Sequence, residues 1–236
     1  FNKEFINETT FLSFHGLTGE SRKTLDARLR TSGMTNKDVI CDVTGANISK
    51  DVSLFDRTIL VIGLGVMGQL NIILARRFGA GRIIGTDKVK CRLKKAKEFG
   101  ADDVIDVSKG NLIDSLRRLT DGDMADLVIV GPNSVEAMQD GISTTGAGGT
   151  VLFFTPAKPG VKLTINPNDL YFRDIKIVTS YSCGPVETRE ALMLIEEGVV
   201  SAEKLVTHRF PIEKTAEAFR LTAEARESLK VVITFE

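Results

Sequence analysis

No tryptophan occurs in this chain of 236 residues, and aromatic residues make up only 6% of it. Proteins that bind single-stranded nucleic acid use aromatic rings as platforms for stacked bases, so that class is disfavoured. An excess of one charge is missing too, because 31 Lys and Arg balance 31 Asp and Glu. A chain without net charge lacks the field that draws a protein to nucleic acid or to an anionic membrane surface. No apolar run reaches the roughly 18 residues that a membrane-spanning helix needs. The expectation is no nucleic-acid and no membrane partner.

Cysteine is scarce. Cys41, Cys91 and Cys183 are far apart, odd in number and never in a C-x-x-C pair. That excludes a disulfide framework and a structural zinc site of the usual spacing, and reads as three reduced thiols in a cytoplasmic protein. Asn7-Glu-Thr and Asn47-Ile-Ser match a glycosylation acceptor, but no secretory signal accompanies them. The first residue is Phe1 rather than Met, which suggests a fragment or a processed product.

What is present is 42% hydrophobic residues in a regular order. Apolar, β-branched runs predict strands at Thr58–Ile62, Arg82–Thr86, Val104–Ile105, Leu127–Val130, Thr150–Phe154 and Ile175–Ser180. Helical stretches alternate with them at Val66–Phe78, Val89–Phe99, Leu112–Leu119, Ser134–Gly141 and Val186–Glu197. Such alternation predicts an α/β fold, a doubly wound six-stranded parallel sheet with helices on both faces. The uninterrupted runs Ile59-Leu-Val-Ile62 and Leu127-Val-Ile-Val130 suit strands buried on both faces. After Gly198 the pattern becomes an extended Leu205–Phe210, a helical Ile212–Thr222 and a final strand Lys230–Phe235.

Three parts are therefore expected. Residues 51–200 form the sheet domain, 201–236 a strand-helix-strand extension, and 1–50 a segment of uncertain structure. Within the last, Ser21–Arg30 reads as a short charged helix and Val39–Val43 as a strand. Gly16-Leu-Thr-Gly19 lacks the ending of a phosphate loop and reads as a turn.

The chemistry sits after the first strand. Gly63-Leu-Gly65-Val-Met-Gly68 is a G-x-G-x-x-G that follows an apolar strand and opens a helix, as a dinucleotide-binding loop requires. Gly63 permits the tight turn, Gly65 lets a pyrophosphate approach the backbone, and Gly68 lets helix and strand pack closely. The free N–H groups of the first helical turn, at Val66 and Met67, face the pyrophosphate. Asp87 ends the second strand, near the roughly 20-residue spacing at which an acid accepts the adenosine ribose hydroxyls. A carboxylate there repels a 2′-phosphate, so NAD is expected over NADP. Lys88 and Arg92 either flank the ribose or belong to a solvated helix start.

The run of Val61-Ile-Gly-Leu-Gly-Val-Met-Gly68, Ala75-Arg-Arg-Phe-Gly79-Ala80, Thr86-Asp87 and Ala96-Lys-Glu-Phe-Gly100-Ala101-Asp102 has a familiar order. Thr179-Ser-Tyr-Ser182, Arg189-Glu-Ala-Leu192 and Leu205-Val-Thr-His-Arg-Phe-Pro211 continue it, with Ala216, Ala218 and Phe219 behind. From Thr58 to Glu236 the chain resembles the cofactor domain of zinc-dependent medium-chain alcohol and polyol dehydrogenases, in the sorbitol/threonine dehydrogenase branch. The resemblance implies further contacts with the nicotinamide half of NAD. They fall on Val130-Gly131 after the fourth strand, Phe154-Thr155 after the fifth and Ser180-Tyr181 after the sixth. It also implies a homodimer through the edge strand Ile175–Ser180.

One departure stands out. In that family a catalytic half carries a Cys and a Gly-His-Glu motif that hold zinc, and neither is found here. His15 is followed by Gly16, and His208 belongs to the family block and reads as a packing residue. No metal-binding set and no catalytic residue is identified, so zinc is expected only in a catalytic domain missing from this chain. Two functions compete. One is an NAD-dependent oxidoreductase acting on a secondary alcohol or polyol, inactive without that domain. The other is a non-catalytic dinucleotide-binding or redox-sensing module. A short-chain dehydrogenase is excluded, because Tyr171 and Tyr181 are followed four residues on by Ile175 and Pro185 and not by Lys.

Overall fold

A computed structural model describes residues 54–235. The helix expected at Ser21–Arg30, the strand at Val39–Val43, the turn at Gly16, and His15 and Cys41 lie outside the described residues.

Six strands form one parallel sheet: β1 (Thr58–Ile62), β2 (Arg82–Asp87), β3 (Asp103–Asp106), β4 (Ala125–Val130), β5 (Thr145–Phe153) and β6 (Lys176–Thr179). Their order is β3-β2-β1-β4-β5-β6, the doubly wound order expected. The helices between them are α1 (Val66–Arg77), α2 (Lys90–Glu98), α3 (Leu112–Leu119), α4 (Val135–Thr144) and α5 (Pro167–Arg173), and α6 (Pro185–Glu196) follows β6.

The strand sequences explain the layers. Side chains of a strand alternate between faces. Ile59 and Val61 join Ile83, Leu127 and Ile129 on one face, where Ile72, Ala75, Leu93 and Ala96 of α1 and α2 cover them. Leu60 and Ile62 join Ile84, Val128 and Val130 on the other, under Leu112 and Leu116 of α3 and Ala137, Met138 and Ile142 of α4. Ile59, Leu60 and Val61 are therefore buried without an exposed face between them. Each contributes about 1.5–3 kcal/mol by leaving water. Helix starts are capped where the sequence offers a cap. Asn111 accepts from the Asp114 N–H at 3.1 Å, and Ser134 from the Ala137 N–H at 3.2 Å.

Two elements between β4 and β6 differ from the sequence reading, and Leu205, read as extended, ends a short helix. β5 begins at Thr145, not Thr150, and takes in a glycine-rich stretch. A Cβ at Gly146 would lie 2.5 Å from the Asp123 carbonyl oxygen, so glycine there allows a close strand approach beside the register shift in β4. Helix α5 is absent from the sequence reading, because it is one short run of seven residues in which Leu170 alone packs against the core. It rests on Pro167 at its first turn and on the Asn166 side chain, which accepts from the N–H groups of Asn168 and Asp169.

Residues 54–200 belong to one compact unit and 201–235 to a second. In the second, α7 (Ala202–Leu205) leads into β7 (Val206–Pro211); a 3₁₀ turn (Ile212–Lys214) and α8 (Thr215–Glu224) connect it to β8 (Lys230–Thr234). β7 and β8 pair in parallel, so the expected strand-helix-strand is a crossover unit.

Candidate nucleotide-binding site

The site is built where the direction of winding reverses. α1 leaves β1 for one face and α4 leaves β4 for the other, although β1 and β4 are neighbours. That opens a crevice at their carboxyl ends. Gly63 stands at its mouth with φ +84, a left-handed backbone that suits glycine. Its N–H donates to the Thr86 carbonyl at 2.8 Å. A Cβ on Gly63 would also lie 2.8 Å from Cδ of Pro132, which follows β4.

The other two glycines have opposite surroundings. A Cβ at Gly68 would lie 2.0 Å from the Gly63 carbonyl oxygen, so helix and loop touch there. A Cβ at Gly65 would meet nothing within 4 Å. Gly65 caps α1 without a side-chain hydrogen bond, and the first turn has no acidic residue. Open space thus faces a helix N-terminus with uncapped N–H groups at Val66 and Met67, a setting that suits a pyrophosphate. Met67 is exposed and Val66 half-buried.

Asp87 ends β2 beside this loop, its side chain 8% exposed. Oδ2 accepts from the Leu64 N–H at 2.8 Å and Oδ1 from the Val89 N–H at 2.9 Å. A carboxylate has about four acceptor positions, so each oxygen keeps one for a further donor such as a ribose hydroxyl. Arg92 Nη1 lies 3.9 Å from Oδ2, its side chain only 17% exposed, so Arg92 is drawn toward Asp87 and is not part of a solvated helix start. Lys88 is exposed.

The remaining candidates line the same edge of the sheet. The Gly131 N–H donates to the Ile62 carbonyl at 2.9 Å, Phe154 to Val130 at 3.0 Å and Ser180 to Phe153 at 3.2 Å. Val130 is the least available of them. Its side chain is wholly in the core, and its carbonyl is taken by Phe154. Phe154 packs partly into the core, and Thr155 and Ser180 are half-buried. Tyr181 is 91% exposed.

Gln69 escaped the sequence reading. It is fully buried in α1, and its Nε2 donates to the carbonyls of Leu64 and Arg92, both at 3.0 Å. The available signal was a polar residue directly after Gly68, where the helix presses on the sheet.

Among the described residues no group of three or more His, Cys, Asp or Glu could hold a metal ion. His208, in the second unit, stacks on Phe210 with ring centres 6.4 Å apart, and its Nδ1 lies 3.0 Å from the Thr207 hydroxyl. No helix among the described residues is long and apolar enough to cross a membrane.

Comparison with known proteins gives the family and the fold. Residues 66–197 match the sequence profile of the zinc-binding dehydrogenases. The chain belongs to that family and carries its nucleotide-binding half. It is 33% identical over 182 residues to mouse sorbitol dehydrogenase, covering 74% of this chain and 48% of that one. Against L-threonine 3-dehydrogenase of Bacillus licheniformis the identity is 28% over 176 residues, covering 74% and 51%. The chain thus spans about half the length of the curated relatives it matches. The fold matches benzyl alcohol dehydrogenase of Acinetobacter calcoaceticus with a TM-score of 0.73 at 22% identity, over 82% of this chain and 54% of that one. It also matches an NADP-bound zinc-binding dehydrogenase of Sinorhizobium meliloti with a TM-score of 0.72 at 23% identity, over 84% and 57%.

Proposed function

We propose that this chain holds NAD for the oxidation of a secondary alcohol or polyol, as the nucleotide-binding half of a dehydrogenase. The supporting observation is the Asp87 carboxylate, fixed by the Leu64 N–H beside the open space at Gly65. In this reading Gly65 and the N–H groups of Val66 and Met67 receive the pyrophosphate. Asp87 receives the adenosine ribose, with Lys88 and Arg92 beside it. Gly131, Phe154, Thr155, Ser180 and Tyr181 border the nicotinamide half, and Val130 contributes only by holding Phe154. NAD, when bound, accepts a hydride from the substrate carbon. This chain's part is to bind and orient it; zinc and the acid–base groups belong to residues outside 54–235. The relatives' names support an alcohol or polyol as substrate. Titration of the chain with NADH, followed by nucleotide fluorescence, tests the reading. Saturable binding that Gly65→Val abolishes supports it, and no binding refutes it.

The same reading includes a cytoplasmic protein and a homodimer through residues 175–180. Among the described residues β6 pairs on one side only, with β5, and so leaves an open edge. Tyr171 and Phe172, just before it, are 80% and 77% exposed. A two-fold contact would cover both features and close the assembly.

A further inference from the structure

Gln69 is out of place by composition. It is a fully buried polar side chain in a helix that also buries Gly68, Asn71, Ile72 and Ala75. Its Oε1 is buried without a hydrogen-bond partner, which costs stability. A Met of similar size would avoid that penalty. What Met could not do is donate, and the Gln69 amide donates twice from Nε2, to the Leu64 and Arg92 carbonyls.

Those two acceptors belong to two of the three residues around the Asp87 carboxylate, the third being Val89, whose N–H donates to Oδ1. The Leu64 N–H donates to Oδ2, and the Arg92 guanidinium lies 3.9 Å from the same oxygen. The contacts therefore close a ring: Asp87 to Leu64, Leu64 to Gln69, Gln69 to Arg92, and Arg92 back to Asp87. Leu64 is held at both its N–H and its carbonyl, while its side chain lies against Gly85, where a Cβ would come within 3.1 Å. Leu64 cannot move away from Asp87, nor the Arg92 backbone away from the glycine loop, without breaking a bond to one nitrogen of Gln69.

We propose that Gln69 is a positioning residue for nucleotide discrimination. It fixes the spacing between the glycine loop and the start of α2, so that Asp87 faces the ribose already held by Leu64 and shielded by Arg92. This rests on the NAD-binding reading above and deepens it. Without the amide, the first turn of α2 loosens. The Arg92 backbone then shifts and carries its guanidinium away from Asp87 toward the place of a 2′-phosphate, while the carboxylate loses its orientation toward two hydroxyls. A residue that merely filled space would, when replaced, weaken all nucleotides alike. A residue that orients Asp87 changes their ratio.

The experiment is titration of the whole chain with NADH and NADPH by nucleotide fluorescence, for wild type, Gln69→Met and Gln69→Asn. Met keeps the volume without a donor, and Asn keeps the amide but is one methylene too short to span both carbonyls. A cooperative thermal transition shows which variant is folded, and either one suffices. The expected result is a fall in NADH affinity of about tenfold, or 1.4 kcal/mol, with NADPH affinity unchanged or improved. A folded variant with the wild-type ratio of affinities overturns the role of Gln69 alone. A wild type that binds both nucleotides equally overturns the reading of Asp87, and this inference with it.

Discussion

The Leu64 N–H and the Asp87 carboxylate, 23 residues apart in sequence, meet at 2.8 Å. This one bond joins the loop that would carry a pyrophosphate to the acid that would read the ribose. Leu64, between two glycines that give the loop its shape, is fully buried, its side chain in the core cluster with Leu93 and Ala96. The bond fastens the loop to β2.

The glycines of that loop should separate folding from binding. Gly65→Ala meets nothing within 4 Å and leaves an ordinary backbone conformation, so denaturant unfolding should match wild type while NADH binding weakens. Gly68→Ala puts a methyl group 2.0 Å from the Gly63 oxygen, so it should cost stability by about 1–3 kcal/mol or more through forced backbone movement. Equal unfolding curves for the two variants would contradict this assignment.

A pH effect is expected far from the site. Burial acts to raise the Asp102 carboxyl, but the Ile83 N–H, at 2.7 Å, and the Arg76 guanidinium, at 2.5 Å, hold it below its ordinary value of 3.8. Asp102 therefore stabilises the fold when ionised, and that contribution is lost as pH falls below the ordinary value. Asp102→Asn should be less stable than wild type at pH 7, with the gap closing below about pH 4. A gap that persists unchanged at pH 3 would show that the ionised form is not what matters.

Much of this was legible in the sequence, for physical reasons. Gly63, Gly68 and Asp87 answer backbone requirements, a left-handed turn, a contact too close for a Cβ and the spacing of one βαβ unit, and such requirements leave fixed residue types at fixed distances. The two-sided strands announce themselves by unbroken apolar runs. The first half of β5 was hidden because its glycines serve strand approach and resemble a loop, and α5 because it is short and only Leu170 packs against the core. Gln69 was hidden because its role depends on two carbonyls, and backbone acceptors carry no sequence signature.

The proposed dimer has a defined outer edge. The Ser180 N–H donates to Phe153 of β5, so along β6 the groups of Val178 also face inward and those of Ile177 and Thr179 face outward. Proline at Val178 would damage the sheet itself. Thr179→Pro removes an outward donor and should give a folded monomer, read by light scattering after size exclusion. A wild type that is monomeric at micromolar concentration would remove the argument for this interface.

The central claim is that Asp87 makes this a site for NAD. The most direct measurement is a competition titration of the wild-type chain, in which bound NADH is displaced by NADPH and by unlabelled NADH in parallel. The account predicts that NADPH competes at least tenfold less well, because its 2′-phosphate must approach a carboxylate held by Leu64 and Val89. Equal displacement by the two nucleotides would contradict it.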